Sequence, residues 1–184
     1  MLKDDIENRK YVILVDDNDN KIGVEEKIKA HKNCQLHRAF SILIFNNNNE
    51  VLLQQRHIEK YHSGGLWANT CCSHPAPNEE VEDAAHRRLQ EELGFDAKLK
   101  FIKKVYYKTE ELENSLYEHE IVQVFIGKID EYTGTMNTRE VQDVKWMDID
   151  TFLEDIEQRP DLYTFWIREY IKEIDFKEEL GKIN

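Results

Sequence analysis

Residues 73–94 read SHPAPNEEVEDAAHRRLQEELG, and a helix is punctuated at both ends of this stretch. The pattern predicts a helix from Glu79 to Leu93. Asn78 stands where a side-chain oxygen can cap the first free N–H groups, acids crowd the opening turn, and Gly94 supplies the residue that ends a helix. Val81, Ala84, Ala85, Leu89 and Leu93 recur at helical spacing, so one face is apolar. The other face is charged: Glu92 follows Arg88 by one turn, as Glu91 follows Arg87. Such pairs usually mark a solvated face. The same carboxylates also suit a hard cation such as Mg²⁺, which takes oxygen ligands together with phosphate.

Outward from this helix the chain reads as strands. Upstream, Tyr11 to Val15 is β-rich and stops at the turn cluster Asp16 to Asn20; a short return strand leads into a helix over Glu25 to Ala30. Ala39 to Phe45 is apolar enough for burial on both faces, Asn46 to Asn49 turns the chain, and Val51 to Gln55 returns. Gly64 and Gly65 break the pattern before an extended Trp67 to Cys72. Downstream, strands are predicted near Phe101–Lys108, Glu118–Ile129 and Asp143–Met147. The tail from Asp150 to Phe176 reads as two helices parted near Pro160. The sum is an α+β fold, a mixed sheet with helices, in one domain over residues 1–184 whose helical C-terminal segment begins at about residue 150.

Composition narrows the function. Acids outnumber Lys and Arg by 37 to 25, and the net charge of −12 argues against a nucleic-acid or anionic-membrane binder, which needs a basic face. No apolar run reaches the ~20 residues that span a bilayer, and Met1 to Lys10 lacks the apolar stretch of a signal peptide. Three cysteines, two of them adjacent, are a poor basis for a disulfide framework, so a cytoplasmic location is expected.

Three further groups carry chemistry. In Thr70-Cys-Cys-Ser-His-Pro75 an extended backbone puts Cys72 and His74 on one face. A thiol beside a metal-bound imidazole is chemically sensible; a buried cysteine near an unrelated loop histidine fits the same residues. On a strand, Glu118 and Glu120 also face together and His119 faces away. Two such carboxylates repel unless a metal or a proton lies between them, or unless the face is simply exposed. His31 and His37, six residues apart, complete a mixed imidazole–carboxylate donor set of the kind that suits Zn²⁺ or Mn²⁺.

In order and spacing these groups resemble the type 1 isopentenyl-diphosphate isomerases, a branch of the Nudix superfamily. The resemblance runs from about Tyr11 to about Trp166. It rests on Lys27-Ile-Lys-Ala-His31, Leu36-His-Arg-Ala-Phe40, Leu53-Gln-Gln-Arg56, Leu66-Trp-Ala-Asn-Thr-Cys-Cys-Ser-His-Pro75, Arg87-Arg-Leu-Gln-Glu-Glu-Leu-Gly94, Tyr117-Glu-His-Glu120 and Phe165-Trp166. The Nudix pattern falls on Ser73 to Gly94 with two departures, Ser73 for a glycine and Arg88 for a glutamate. The second removes a carboxylate used in hydrolytic metal chemistry and resembles the isomerase branch, where an arginine there binds diphosphate.

The resemblance implies a Nudix-like mixed β-sheet sandwiched by helices. It implies a small-molecule C5 isoprenoid diphosphate as substrate, with no nucleic-acid or membrane partner. His31, His37, His74, Glu118 and Glu120 would hold one Zn²⁺ or Mn²⁺, and Glu92 a separate Mg²⁺ that travels with the diphosphate. Lys27, Arg56, Lys60 and Arg88 correspond to diphosphate contacts. Cys72, Glu120, Tyr107 and Trp166 correspond to residues around the reacting carbons, with Tyr106 as the alternative to Tyr107. The implied reaction is the 1,3-allylic double-bond shift between isopentenyl and dimethylallyl diphosphate. Glu120 with Tyr107 would serve the proton-delivering end and Cys72 the proton-removing end. The competing reading from the same fold is a Nudix diphosphate hydrolase; from another class, a Nudix-like binding module without catalysis.

Overall fold

The computed structural model describes residues 9–110 and 112–183. In chain order the strands are β1 (Tyr11–Val15), β2 (Lys21–Glu26), β3 (His37–Phe45), β4 (Glu50–Arg56), β5 (Trp67–Ala68), β6 (Cys71–Ser73), β7 (Leu99–Lys108), β8 (His119–Lys128) and β9 (Val141–Asp148). The helices are α1 (Lys27–Lys32), α2 (Val81–Leu93), α3 (Ile149–Gln158), α4 (Phe165–Glu173) and α5 (Phe176–Leu180).

β3 organises the sheet. One edge pairs in parallel with β8 over its whole length, from His37 opposite Glu120 to Phe45 opposite Lys128. Its other edge is shared by β1 at His37, β6 at Phe40 to Ile42, and β4 at Phe45. A strand so enclosed must be apolar on both faces, and it is. Ala39, Leu43 and Phe45 enter one core cluster with Phe152, Tyr163, Trp166 and Tyr170 from the C-terminal helical region. Phe40, Ile42 and Ile44 enter the other, with Val81, Ala84, Ala85 and Leu89 of α2. The sheet is therefore covered by α2 on one face and by α3 and α4 on the other, the sandwich expected.

Several predicted boundaries shift. α2 begins at Val81, not Glu79, and its cap position is Glu80, which makes no side-chain cap bond. Asn78 does not cap it: Glu79 instead folds back to accept from the Ala76 N–H and from Arg87, and so turns the chain into the helix. Gly94 ends it at φ +70°, as the sequence requires. The helix placed at Glu25 starts two residues later, because Glu25 and Glu26 still pair with β1 and Glu26 then caps α1. The segment Trp67 to Cys72 divides into β5 and β6. A fifth helix, α5, follows the two predicted in the tail.

The C-terminal helices dock by their own apolar stripes. Ile149, Phe152 and Ile156 are buried on α3, whose first turn is capped by Asp148. Trp67 bridges Tyr163, and its carbonyl accepts from Thr164 N–H at 2.9 Å, which ties the start of α4 to β5 and so places Trp166. No helix among the described residues is long and apolar enough to cross a membrane.

Candidate metal centre and substrate cavity

Alternation along β3 and β8 brings the metal-type ligands together. His37 and Glu120 are register partners on adjacent parallel strands, so their side chains share a face. α1 carries His31 to the same place, and the residue after β6 brings His74. His31, His37, His74 and Glu120 offer ligand atoms all within 4.8 Å of one another. Glu120 Oε1 lies 3.2 Å from His37 Nε2 and 2.8 Å from His74 Nε2.

The tautomers are set by backbone carbonyls. His31 Nδ1 is 2.7 Å from the Lys27 carbonyl, and His37 Nδ1 is 2.8 Å from that of Gln35. A carbonyl only accepts, so each Nδ1 carries a proton, and in a neutral ring Nε2 is left as the lone pair turned inward. Both Nε2 atoms are buried without a hydrogen-bond partner. Lone pairs facing carboxylates in a buried site repel one another unless a cation lies among them. The donor set fits a divalent metal ion.

Charge balance in the cluster agrees. Burial raises the Glu120 pKa, but the neighbouring His37 and His74 imidazoles outweigh it and hold the carboxyl well below its usual range. Burial pushes the His74 imidazole down to about 4, against the pull of Glu120. Glu118 does not join His37 and His74. It precedes β8 and turns to His62 at 2.8 Å and His31 at 3.5 Å, a second group that shares His31 with the first.

A cavity of about 170 Å³ adjoins the cluster. Its apolar part is walled by Cys72, Tyr107, Trp166 and Tyr170. Cys72 and His74 face one way, as alternation requires, whereas Cys71 points into the α2 core. Burial pushes the Cys72 thiol up to about 12, opposed by the Arg56 guanidinium. Tyr107 O–H donates to Glu120 Oε2 at 2.5 Å, and burial together with that carboxylate holds the phenol protonated far above neutral pH. Tyr106, the alternative, is 58% exposed and pairs with His119 on the outer face.

Cations line the same cavity: Lys27, Lys60, Arg88 and Arg56, the last lying over the Trp166 ring at 5.0 Å. Burial, then repulsion from Lys60 and Arg88, lowers the Lys27 pKa, against the pull of Glu140 and Glu26. Arg56 Nε and Arg88 Nε are buried without partners. An anion would satisfy both. Glu92, on the buried side of α2, holds Arg88 through one oxygen and accepts from Gln54 at 3.0 Å through the other. It stands apart from the histidine cluster, as a separate ion site requires.

Sequence reasoning passed over several contributors. His62 lies 3% exposed against Glu118. Tyr61 sits beneath the Lys27 ammonium at 5.2 Å. Glu140 pairs with Lys60 and, at 3.7 Å, with Arg88. Fully buried Asn69 accepts from Trp166 Nε1 at 3.0 Å and donates to Ser41 Oγ and the Cys71 carbonyl, each at 2.7 Å. Asn69 lies inside the motif that carries Cys72 and was the one legible in principle, since a buried amide between two strands has to be hydrogen-bonded.

Comparison with known proteins agrees with this architecture. The NUDIX domain family matches residues 35–167. Isopentenyl-diphosphate Delta-isomerase 2 of Aromatoleum aromaticum is 48% identical over 156 residues, covering 85% of this chain and 82% of that protein. Isopentenyl-diphosphate Delta-isomerase of Burkholderia multivorans is 46% identical over 157 residues, covering 84% and 87%. Among solved structures, a MutT protein from Methanosarcina mazei Go1 superposes with a TM-score of 0.63 at 18% identity, covering 78% of this chain and 95% of that one, which establishes the fold alone. With identities of this size over most of both sequences, the chain belongs to the isopentenyl-diphosphate Delta-isomerase family, on the NUDIX domain fold.

Proposed function

We propose that this chain interconverts isopentenyl and dimethylallyl diphosphate by adding a proton to one end of an allylic system and removing one from the other. The observation that carries this reading is the make-up of the cavity. Acid–base groups, Cys72 and the Tyr107–Glu120 pair, share one small cavity with an aromatic wall and with four basic side chains, two of which keep a buried N–H without a partner. Its volume of about 170 Å³ suits a short hydrocarbon, since a cavity of ~150 Å³ holds benzene. Lys27, Arg56, Lys60 and Arg88 would take the diphosphate, the two arginines through paired N–H donors.

Moving the double bond requires a proton on the terminal methylene carbon and loss of one from the carbon two positions along. Positive charge develops at the tertiary carbon between them, and the diphosphate stays attached. Cys72 and Glu120 come from strands on opposite edges of β3, which supports opposed roles across the chain of the substrate. Delivery would run from the Tyr107 phenol and Glu120 acting as a pair, and removal to Cys72 as its thiolate, so the buried thiol has to give up its proton to solvent before turnover. Trp166 offers a π face to the developing cation, worth ~2 kcal/mol or more when water is excluded.

His31, His37, His74 and Glu120, with Glu118 beside them, would hold Zn²⁺ or Mn²⁺, and Glu92 a Mg²⁺ that accompanies the diphosphate. The first ion would supply the positive charge that lets two buried carboxylates stay ionised side by side. Arg88 stands where the Nudix pattern has a glutamate, which removes a carboxylate that hydrolytic metal chemistry uses and disfavours a hydrolase. The test is incubation of the metal-loaded protein with isopentenyl diphosphate in heavy water. Deuterated dimethylallyl diphosphate without phosphate release is expected; phosphate release without isomer would overturn the reading in favour of hydrolysis.

A further inference from the structure

The two histidines that flank Glu118 present opposite chemistry to it. His31 has committed its Nδ1 proton to the Lys27 carbonyl, so Nε2 is the ring atom turned to Glu118 Oε2, 3.5 Å away and without a hydrogen bond to it. His62 Nε2 lies 2.8 Å from Glu118 Oε1. A carboxylate only accepts, so His62 Nε2 carries a proton and donates, while its Nδ1 lies 3.2 Å from Ser63 Oγ. One oxygen of Glu118 is therefore gripped by a hydrogen bond, and the other faces an imidazole nitrogen with which it makes none.

His62 is itself firmly held. Its carbonyl accepts from Arg56 Nη2 at 3.2 Å, and its ring meets the Trp166 indole edge to face at 5.8 Å. The loop that carries it is closed at the neck by Arg56 N–H to the Leu66 carbonyl and by Gly65 N–H to the Arg56 carbonyl. The loop tolerates no side chain at two points. A Cβ on Gly64 would lie 2.3 Å from the Ile58 carbonyl oxygen, and Gly65 sits at φ +78°. A buried, doubly anchored imidazole on a loop of this tightness is built for a fixed orientation.

We propose that His62 is a positioning residue of the metal centre: it holds Glu118 so that Oε2 and His31 Nε2 converge on the divalent ion, and it links that ion to the Trp166 wall of the substrate cavity. This rests on the metal reading given above. Removing a group that orients a ligand typically lowers metal affinity about 10–100-fold. His62→Ala removes the donor and leaves Glu118 free to turn away. His62→Gln keeps an N–H donor near the same place.

The experiment measures Zn²⁺ and Mn²⁺ affinity of the full chain by competition with a chromophoric chelator, and bound metal per chain by elemental analysis. Expected are an unchanged stoichiometry at saturation, an affinity weakened about 10–100-fold in His62→Ala, and recovery of most of that loss in His62→Gln. Affinity within twofold of wild type in His62→Ala overturns the proposal. So does loss of a bound ion in both variants, which would make His62 a ligand in its own right. A wild-type chain that takes up neither ion overturns the metal reading and this proposal with it, and is distinguished from the other outcomes by the wild-type measurement alone.

Discussion

Truncating Asn69 tests whether one buried amide supports both sides of the cavity. Its Nδ2 donates to Ser41 Oγ and to the carbonyls of Ile42 and Cys71, and its Oδ1 accepts from Trp166 Nε1. It thus joins β3, the strand that carries Cys72, and α4. Asn69→Ala strands the indole N–H and withdraws a donor from two carbonyls. With three groups left wanting, the indole N–H and the two carbonyls, at about 1 kcal/mol or more each, the expected loss is about 3 kcal/mol or more. For a chain of this size that lowers Tm by roughly 6–12 °C. Asn69→Asp has nearly the same shape and keeps the acceptor for Trp166, but it turns a carboxylate toward two carbonyl oxygens. Its folded pKa must rise above the ordinary ~3.9, so its stability deficit is smallest at low pH and grows as pH rises through the folded value. The assay is urea unfolding followed by far-ultraviolet circular dichroism at pH 5 and pH 8, with chelator present throughout to hold metal occupancy constant. Asn69→Ala should be equally destabilised at both pH values, and Asn69→Asp worse at pH 8. A loss below about 1 kcal/mol in Asn69→Ala, or an Asn69→Asp variant indifferent to pH, would refute the network.

Three further outcomes follow from the same geometry. Cys72→Ala should abolish isomerisation, whereas Cys34→Ala and Cys71→Ala should leave turnover largely intact, with Cys71→Ala losing stability because that side chain is buried in the α2 core; steady-state assays of the three variants decide it. Burial of the Cys72 thiol predicts that its alkylation by iodoacetamide, read by mass spectrometry of the substrate-free protein, still climbs with pH beyond pH 10; a plateau near ~8.5, the value of a free thiol, would contradict it. His31→Ala, His37→Ala and His74→Ala should each lower bound metal in the purified protein, and Glu120→Gln should cut turnover and solvent-deuterium incorporation by about 10²–10⁴-fold, a result that near-wild-type exchange with metal still bound would exclude.

Local signals were read well from the sequence where they act within a turn or a strand. Gly94 ends α2 because only a residue tolerant of positive φ closes a helix there, and this holds in any tertiary context. The apolar residues of β3 announced two buried faces because side chains alternate at period two whatever packs on them. The same alternation predicted Cys72 with His74 and left His119 outside. The start of α2 was misread for the complementary reason: Asn78 is a good cap in isolation, but Glu79 reached the competing partner Arg87, eight residues on.

Donor types, strand alternation and helix punctuation were thus determined by the sequence itself, since each arises from backbone geometry and side-chain chemistry available to a residue and its near neighbours. Partnership was decided only by the tertiary structure. Glu118 and Glu120 were expected on one strand face, yet Glu118 precedes β8 and meets His62 while Glu120 meets His37, because a loop closed by Gly64 and Gly65 delivers His62 to the first alone. Glu140 carries no local mark of function, and Asn69 none of its partner on α4. They act because β9 and α4 lie across a sheet whose strands come from distant parts of the chain, and hydrogen bonds or ion pairs formed at such sequence separation leave no periodic trace for a linear reading to find.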